Sequence, residues 1–423
     1  MSGKIREVSS EQVRERLCRQ DEIALLDVRE EEVFAKAHPL WAANLPASRI
    51  ALQAGRRVPR RDTLIVVYGD DSALAQAAIE VFGSLGYTDV RQLAGGLDGW
   101  VASGGELFQD VNVPSKAFGE LVESVKHTPS LSAVEVQALI DSEQDVVVVD
   151  ARRYDEFKTM SIPTATSVPG GELVLRIREV APDPATKIVV NCAGRTRSII
   201  GAQSLINASV PNPVAALRNG TIGWALAGLR LDRGASAQAP GYVGPDVVVR
   251  AQKGARTIAT RAGVRFAPFD TLQALRLPGR TTYLFDVRSP EEFEAGHIPG
   301  FRNAPGGQLV QETDHHAPVR GARVVLVDDD GVRATMTGSW LAQMGWDVWV
   351  LEGVASPLFT DSGPVIEELA YQIDESTLPP LRRYRRPYEG ADNAQEAMQA
   401  YLEWEYGLVA QLDKDGTHNF HVV

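Results

Sequence analysis

One segment combines a cysteine with two arginines at a spacing that suits sulfur chemistry. It reads Asn191-Cys192-Ala193-Gly194-Arg195-Thr196-Arg197-Ser198. An apolar run, Ile188 to Asn191, precedes the cysteine, and a small-residue stretch typical of a helix begins at about Ser198. We therefore expect Cys192 at the C-terminal end of a strand, which is where open parallel sheets bind ligands.

The surroundings of this cysteine predict a reactive thiolate. Loop N–H groups and the N-terminus of the next helix converge at such a position and bind anions. The same field favours a thiolate over a thiol, and Arg195 and Arg197 add positive charge. We expect Cys192 to be accessible, to have a lowered pKa and to act as a sulfur nucleophile. A buried side chain would argue against this assignment.

The remaining cysteine and the histidines indicate no second site. Cys18 is in register with Val13 and Leu17 on a predicted helix, so we expect it to pack as a small apolar residue. No Cys or His cluster has zinc spacing, and the adjacent His315 and His316 are expected in an exposed loop. We predict no cofactor and no resident metal.

An internal repeat organises the chain. An apolar run that ends in Asp-x-Arg, with a polar helix start after it, occurs as Leu25–Arg29, Val148–Arg152 and Leu284–Arg288. A second apolar run follows each one. The residues just after it, each 42 positions beyond the Asp, are Gly69, Cys192 and Asp328. Equal offsets of this kind predict a triplicated domain.

Short apolar strands that alternate with helices favour a parallel sheet covered on both faces. We predict an α/β protein of three tandem domains, each a small parallel sheet flanked by helices, plus a C-terminal helical segment. The predicted limits are residues 1–110, 128–232 and 263–360, with the extension at 361–423. Within the extension, Asp392 to Leu412 is predicted to be one amphipathic helix with a docking face. Asp246 to Ala262 is predicted to be a helix that leads into the third domain.

The first and third repeats lack the cysteine. Gly69 is followed by Asp70-Asp71, and Asp328 by Asp329-Asp330. Acidic side chains there would repel an anionic donor and could fill the anion cradle themselves by capping the helix. We expect both repeats to be inactive and structural, so that the middle domain is the catalytic one. A divalent-metal site at Asp328 to Asp330 is a less favoured alternative.

Taken together, these motifs resemble the rhodanese (sulfurtransferase) family. They are the Asp-x-Arg segments with Glu-x-Phe, the Cys-Ala-Gly-Arg-Thr-Arg-Ser loop, and a closing Gly-Trp in the first two repeats. The third repeat carries the opening signature most fully, as Asp286–Phe293 with Gly296–Gly300. In the second repeat the family's Gly-His-Ile-Pro-Gly is replaced by Met160–Thr164, where we expect altered packing without loss of activity.

The resemblance implies a mechanism. The Cys192 thiolate would attack the outer sulfur of thiosulfate, release sulfite and pass the sulfur of the resulting persulfide to cyanide or a thiol. Asp150 and Arg152 would support the loop from a neighbouring strand end. The residues expected to bind the substrate are Ala193, Gly194, Arg195, Thr196, Arg197 and Ser198. The implied partners are a small anionic donor and a thiophilic acceptor, which could be a protein.

Three other functions compete with this one. Phosphatases and arsenate reductases have related loops, but their signature places the Arg one position later, where Ser198 stands here. Mercaptopyruvate sulfurtransferases resemble Cys-Gly-Ser-Gly-Val-Thr, which is absent. A non-enzymatic scaffold or sulfur-relay module is the alternative from another class, because two repeats lack the cysteine.

Composition limits the partners. The formal net charge is −12, which argues against nucleic acid as the main partner. No apolar run approaches the length of a membrane helix, and the N-terminus has no signal-like segment, so we expect a cytoplasmic protein that does not bind membranes. The basic run Arg382–Arg386 could bind an anionic partner, although a solvated linker face is favoured.

Overall fold

Three parallel sheets follow one another along the chain, and each contains the Asp-x-Arg strand of one repeat. The computed structural model describes residues 6–276, 278–363, 378–386 and 395–423. The first sheet contains β1 (Glu7–Val8), β2 (Ile23–Asp27), β3 (Ala43–Asn44), β4 (Ile65–Tyr68) and β5 (Val90–Leu93). The second contains β6 (Ser130–Leu131), β7 (Val146–Asp150), β8 (Thr166–Ser167), β9 (Lys187–Asn191) and β10 (Val214–Leu217). The third contains β11 (Arg265–Pro268), β12 (Thr282–Asp286), β13 (Arg302–Asn303), β15 (Arg323–Val327) and β16 (Asp347–Glu352).

The strand order is the same in all three sheets. From edge to edge it is β1-β5-β4-β2-β3, then β6-β10-β9-β7-β8, then β11-β16-β15-β12-β13. A short strand from the third repeat, β14 (Val319–Arg320), adds to the first sheet by pairing antiparallel with β2. The central strands β4, β9 and β15 are almost wholly buried, which explains their continuous apolar sequence. The predicted fold class is confirmed.

Helices cover both faces of these sheets. In the first repeat they are α1 (Ser10–Arg19), α2 (Glu31–Phe34), α3 (Ile50–Arg57), α4 (Ser72–Ser84) and α5 (Gly96–Ala102), followed by α6 (Val113–Lys126). In the second they are α7 (Ala133–Asp141), α8 (Tyr154–Thr159), α9 (Leu173–Val180), α10 (Thr196–Asn207) and α11 (Gly220–Leu226). The third repeat is preceded by α12 (Pro245–Arg261) and contains α13 (Leu272–Leu275), α14 (Pro290–Ala295), α15 (Gly306–Gln311), α16 (Thr313–His316) and α17 (Arg333–Gln343).

The linker helix α12 packs between the second and third repeats. It was expected over Asp246 to Ala262, and it is found within one residue of those limits. Ala251, Ala255 and Ile258 enter a core that also contains Leu205 and Met336 from the two neighbouring repeats. Burial of this shared apolar surface therefore joins the repeats. The exact domain limits stay a prediction.

The C-terminal segment forms two helices, α18 (Gln395–Tyr406) and α19 (Leu408–Asp415), and not the single helix that we predicted. They are separated at Gly407, and residues 392–394 of the predicted helix lie outside the described residues. The expected docking face is confirmed on α18, where Met398, Tyr401 and Leu402 pack against Ile222 of α11. We call α18 and α19 the C-terminal hairpin.

Each repeat fixes its Asp-x-Arg strand end with a buried ion pair. The pairs are Asp27–Arg29, Asp150–Arg152 and Asp286–Arg288. In each pair the guanidinium also donates to a carbonyl eight residues further along, and these acceptors are Ala37, Met160 and Gly296. A short loop is thereby tied to the strand end by charge-assisted hydrogen bonds. The repeated motif thus has a structural role in every sheet.

Two expectations about single residues are wrong. Cys18 is exposed, and its thiol donates to the carbonyl of Gly416 at 3.7 Å, so it does not pack as an apolar core residue. His315 and His316 belong to the short helix α16, and not to an exposed loop. The basic run agrees better with expectation, because Arg382, Arg383 and Arg385 are exposed. No helix among the described residues is both long enough and apolar enough to cross a membrane.

Candidate active site

Cys192 stands directly after the buried strand β9, at the edge of the sheet where parallel strands end. The loop is short, because α10 already begins at Thr196, two residues before the predicted start. Strand β9 lies between β7 and β10, so the loop is flanked by the ends of two other strands. This is the strand-to-helix corner that the sequence predicts.

The N-terminus of α11 holds the cysteine loop from one side. Thr221 donates its backbone N–H to the carbonyl of Cys192 at 2.8 Å and its hydroxyl to the same oxygen at 3.0 Å. Ile222 donates its N–H to the carbonyl of Ala193 at 2.9 Å. Gly220 has φ +52°, and a Cβ there would lie 2.4 Å from the Cys192 carbonyl oxygen, so a side chain cannot fit. The segment before the closing Gly-Trp therefore fixes the loop.

The residue before Cys192 is held from the other side by β7. Asn191 donates its side-chain amide to Oδ2 of Asp150 at 2.8 Å. The Arg152 guanidinium donates to the same carboxylate, with Nε 2.9 Å from Oδ1. Asp150 and Arg152 thus stand at the neighbouring strand end and contact the base of the loop, while their support of catalysis stays a prediction.

The accessibility expected of Cys192 is wrong. Its side chain is 2% exposed. Burial raises the pKa of the thiol above its ordinary value, although Arg197 and hydrogen bonding by Ser198 act in the opposite direction. The negative charge of Glu405 raises this pKa further. In this conformation Cys192 is a covered thiol, and not the exposed thiolate that the loop sequence predicts.

The two loop arginines are already engaged by carboxylates. Arg195 donates to both oxygens of Glu120, at 2.7 and 2.8 Å, and also pairs with Glu123. Arg197 donates to both oxygens of Glu156, at 2.7 and 3.0 Å. Binding of the anionic donor by these two guanidinium groups, which the sequence predicts, stays a prediction. Their positive charge largely balances protein carboxylates.

A cover formed by three distant segments explains the burial of Cys192. A Cβ at Gly194 would lie 3.2 Å from Oε2 of Glu405 and 3.4 Å from Cε1 of Tyr401, so α18 rests on the loop. The cavity beside the thiol has a volume of about 20 Å³. Its lining consists of the loop residues 192–197 together with Ser115, Lys116, Gln311, Tyr401 and Glu405. Helix α6, the third repeat and the C-terminal hairpin all contribute to it.

Lys116 brings an ammonium group to this cavity that the sequence analysis did not single out. Its Nζ lies 2.8 Å from Oδ1 of Asp110 and faces the rings of Tyr401 and Trp404 at 5.2 and 5.5 Å. Burial lowers its pKa, although Asp110 opposes this. Lys116 and Glu405 lie on segments outside the repeat motifs. The apolar stripe of α18 was the one signal that pointed to their surroundings.

A carboxylate fills the cradle of the third repeat, and in the first repeat a carboxylate caps the helix, as predicted. Asp328 accepts from the N–H of Gly331 at 3.0 Å and of Ala334 at 2.8 Å. Asp71 caps α4 by accepting from the N–H of Leu74 at 2.8 Å. Among the described residues, no three His, Cys, Asp or Glu side chains are placed to hold a metal ion together. That finding includes the acidic run that begins at Asp328.

Comparison with known families identifies the fold of all three repeats. The model of the rhodanese-like domain matches residues 9–103, 132–227 and 270–354. These matches span most of the chain, and each contains four of the five parallel strands of one sheet. The chain belongs to the rhodanese-like domain family.

A solved structure resembles almost the whole molecule. The crystal structure of a thiosulfate sulfurtransferase from Pseudomonas aeruginosa has 48% sequence identity and a TM-score of 0.94, and the alignment covers 99% of this chain and 100% of that one. The match includes the C-terminal hairpin as well as the three repeats. A search of curated proteins found no match.

Two further structures are similar at a much lower level. SseA from Escherichia coli, described with 3-mercaptopyruvate sulfotransferases, has 20% identity and a TM-score of 0.27 over 54% of this chain and 99% of its own. A protein of unknown function from Rhodopseudomonas palustris, described as a possible tyrosine phosphatase, has 29% identity and a TM-score of 0.25 over 28% of this chain and 93% of its own. Because both scores are low, they bear on neither rival function.

Proposed function

We propose that this chain is a sulfurtransferase that takes the outer sulfur of thiosulfate, carries it as a persulfide on Cys192 and gives it to cyanide or a thiol. The observation that carries the proposal is the likeness to a thiosulfate sulfurtransferase over 99% of the chain at 48% identity. Cys192 supports it, because the equivalent positions of the other repeats hold Gly69 and Asp328, which cannot form a persulfide.

The chemistry needs two displacement steps. In the first, Sγ of Cys192 forms a bond to the outer sulfur of thiosulfate, and the sulfur–sulfur bond of the donor breaks with its electron pair leaving on sulfite. In the second, the acceptor bonds to that outer sulfur, and the persulfide bond breaks with its pair returning to Sγ. Ser198 hydrogen-bonds to the Cys192 thiol through its backbone and its side chain, and we expect backbone N–H groups of the loop from Ala193 to Ser198 to stabilise the persulfide anion. We call the formation of this persulfide sulfur loading.

The donor has to displace part of the cover before it reaches Cys192. A cavity of about 20 Å³ is close to the minimum for one water molecule, so a thiosulfate ion does not fit beside the thiol in this conformation. Gln311 and Tyr401 line this cavity, and we expect their displacement to admit the donor. Lys116 then becomes a cation within reach of an anionic donor.

The direct test is to incubate the full chain with thiosulfate and to weigh it by mass spectrometry. We expect a gain of one sulfur atom that Cys192→Ser abolishes, because serine cannot form a persulfide. Cys18→Ser is a matched control: it removes the exposed thiol and is expected to leave loading intact. Thiocyanate should then form when cyanide is added. No adduct in the wild-type chain would exclude the proposal.

A non-enzymatic scaffold or sulfur-relay module is the second candidate, and the burial of Cys192 favours it. A relay would accept sulfur from a partner protein and would not react with free thiosulfate. The same measurement separates the two, because a relay loads only when a persulfide-carrying protein is supplied. Both functions need Cys192 reduced, which agrees with a cytoplasmic location.

A further inference from the structure

Glu405 places a carboxylate oxygen without a partner in the cavity beside Cys192. Its Oε1 accepts the hydroxyl proton of Tyr401 at 3.0 Å, whereas its Oε2 has no hydrogen-bond partner within the described part of the chain. The residue is 1% exposed. A buried carboxylate oxygen that lacks a donor is costly to maintain, and such groups concentrate at functional sites. Oε2 is also the atom that approaches Gly194 of the cysteine loop.

Charged groups from two other elements face this carboxylate. Lys116 and Glu120 come from α6, Arg195 comes from the cysteine loop, and Tyr401 lies on the same helix. The pKa of Glu405 is raised to about 8, chiefly by burial; Lys116 opposes this rise, Glu120 adds to it, and Tyr401 and Arg195 oppose it to a smaller extent. The carboxyl group therefore changes its protonation state close to neutral pH.

The covered thiol needs a proton acceptor before it can attack. Because Cys192 is buried, the proton cannot pass directly to bulk water, and the thiol form is favoured. The cavity lining contains no histidine, and Lys116 in its charged form has no acceptor site. Glu405 is the carboxylate in that lining.

We propose that Glu405 is a further catalytic residue, the general base that removes the Sγ proton of Cys192 during sulfur loading and returns it during discharge. This inference rests on the proposed function. In loading, the thiol proton passes to Oε2 while Sγ bonds to the outer sulfur of thiosulfate and sulfite leaves as the dianion. The products are the persulfide anion and a neutral Glu405. In discharge to cyanide, thiocyanate leaves and the proton returns from Glu405 to Sγ, so charge balances in both steps.

The assignment gives the C-terminal hairpin a chemical role. The family model ends at residue 354, so the base comes from outside the rhodanese-like repeats. A general base works best when its pKa lies near the operating pH, which the buried position of Glu405 provides. The small residue Gly194 permits the close approach, since a larger side chain would meet Oε2.

The test is the pH dependence of single-turnover sulfur loading in Glu405→Gln, with the full chain and excess thiosulfate. For the wild-type chain we expect the rate to rise with pH and to level off above about 8. In the variant we expect the plateau above about 8 to disappear, because loading then requires the ionised thiol and the rate keeps rising with pH. At pH 8 the variant should load at least about 10²-fold more slowly, the usual contribution of a general base. Glu403→Gln changes an exposed carboxylate on the same helix and should match the wild type.

Different outcomes distinguish this inference from the proposed function. If the wild-type chain takes up no sulfur, the proposed function fails and the role of Glu405 fails with it. If the wild type loads normally but Glu405→Gln keeps the wild-type pH profile, whatever its absolute rate, Glu405 only positions the hairpin and the base assignment is overturned. Glu405→Asp keeps a carboxylate, so partial recovery of the plateau would support the assignment. Far-ultraviolet circular dichroism and Tm confirm that each variant is folded.

Discussion

The second and third repeats share one cradle and differ in the side chain at its centre. Cys192 and Asp328 both follow the central strand of their sheet, and the helix after each begins a few residues later. Ser198 stabilises the sulfur in one repeat, and the N–H of Ala334, at the same offset, donates to the carboxylate in the other. The backbone geometry therefore builds an anion site in both. The central side chain decides whether that site can react or is permanently occupied.

The same pair of repeats also shares an ion pair across the cradle. Arg197 binds Glu156, and Arg333 binds Glu292 at the same sequence separation. Arg333 additionally meets Asp329 and Asp330, whose places in the second repeat are taken by Ala193 and Gly194. Replacement of two acids by two small residues leaves space for the C-terminal hairpin on the second repeat. The second repeat therefore has a cysteine at the centre of its cradle and small residues in the loop that α18 covers.

The largest expected effect on stability comes from emptying the filled cradle. Asp328→Ala removes the acceptor of two backbone N–H groups, those of Gly331 and Ala334, and leaves the N–H of the buried Ala334 without this partner. We expect a loss of about 2–4 kcal/mol in the free energy of unfolding. Urea denaturation measures it. Sulfur loading of the folded variant should be unchanged.

Asp328→Asn is the matched control, because its side-chain oxygen can still accept one of the two N–H groups. It should lose less than half as much stability as the alanine variant. If both variants are as stable as the wild type, the carboxylate does not hold the cradle and the comparison between the two repeats fails.

The sequence predicts the local parts of this comparison well. Equal offsets from each Asp-x-Arg to Gly69, Cys192 and Asp328 reflect one repeated strand order, and periodicity alone reveals it. Helix capping by acidic residues is also local, since donor and acceptor lie within six residues of each other. Short-range geometry of this kind follows from residue type and spacing.

The burial of Cys192 could not be predicted in this way. The side chains that cover it, Tyr401 and Glu405, are about 200 residues away in sequence, and Gln311 belongs to a different repeat. The pKa of Cys192, and with it the reactivity, depends on desolvation by these distant segments. The sequence of the loop itself contains no sign of them. The partners of Arg195 are hidden for the same reason, because Glu120 and Glu123 lie on a helix between the repeats.

A smaller effect is expected from the ion pair that the repeats share. Burial opposes ionisation of Glu156, but Arg197 outweighs it and lowers the pKa of Glu156 to about 2 from an ordinary value of 4.5. The stabilisation is therefore complete above pH 4.5 and is lost as the pH falls towards 2. Glu156→Gln should lower the free energy of unfolding by about 1–3 kcal/mol at pH 7. It should also weaken the dependence of that free energy on pH between pH 4.5 and pH 2.

Glu292→Gln is the counterpart in the third repeat. Its carboxylate is more exposed, and Arg333 keeps Asp329 and Asp330 as partners after the substitution. We expect Glu292→Gln to lose less stability than Glu156→Gln and to change the pH dependence of stability less. Tm measured from pH 2 to pH 7 tests both. If Glu292→Gln loses more stability than Glu156→Gln, Asp329 and Asp330 do not compensate for the missing partner of Arg333, and this interpretation is wrong.

The smallest expected effect concerns the turn in which the second repeat departs from the family motif. Thr164 has φ +67°, whereas its counterpart Gly300 has φ +80°. Both turns close with the same contact, a backbone N–H donated to the carbonyl of Ile162 or Ile298 at 3.1 Å. A β-branched residue is strained in this left-handed region, and Thr164 is exposed, so it gains no core packing in return.

Thr164→Gly should therefore stabilise the chain by about 0.5–1 kcal/mol, the relief of strain being partly offset by the greater freedom of glycine in the unfolded state. The reverse change, Gly300→Thr, should destabilise by a similar amount. Matched urea titrations of the two variants measure both effects, and sulfur loading should be unchanged in each because the turn does not line the cavity beside Cys192. If Thr164→Gly lowers stability, the threonine is held by a favourable contact and the departure from the motif is an adaptation of the second repeat, and not a tolerated strain.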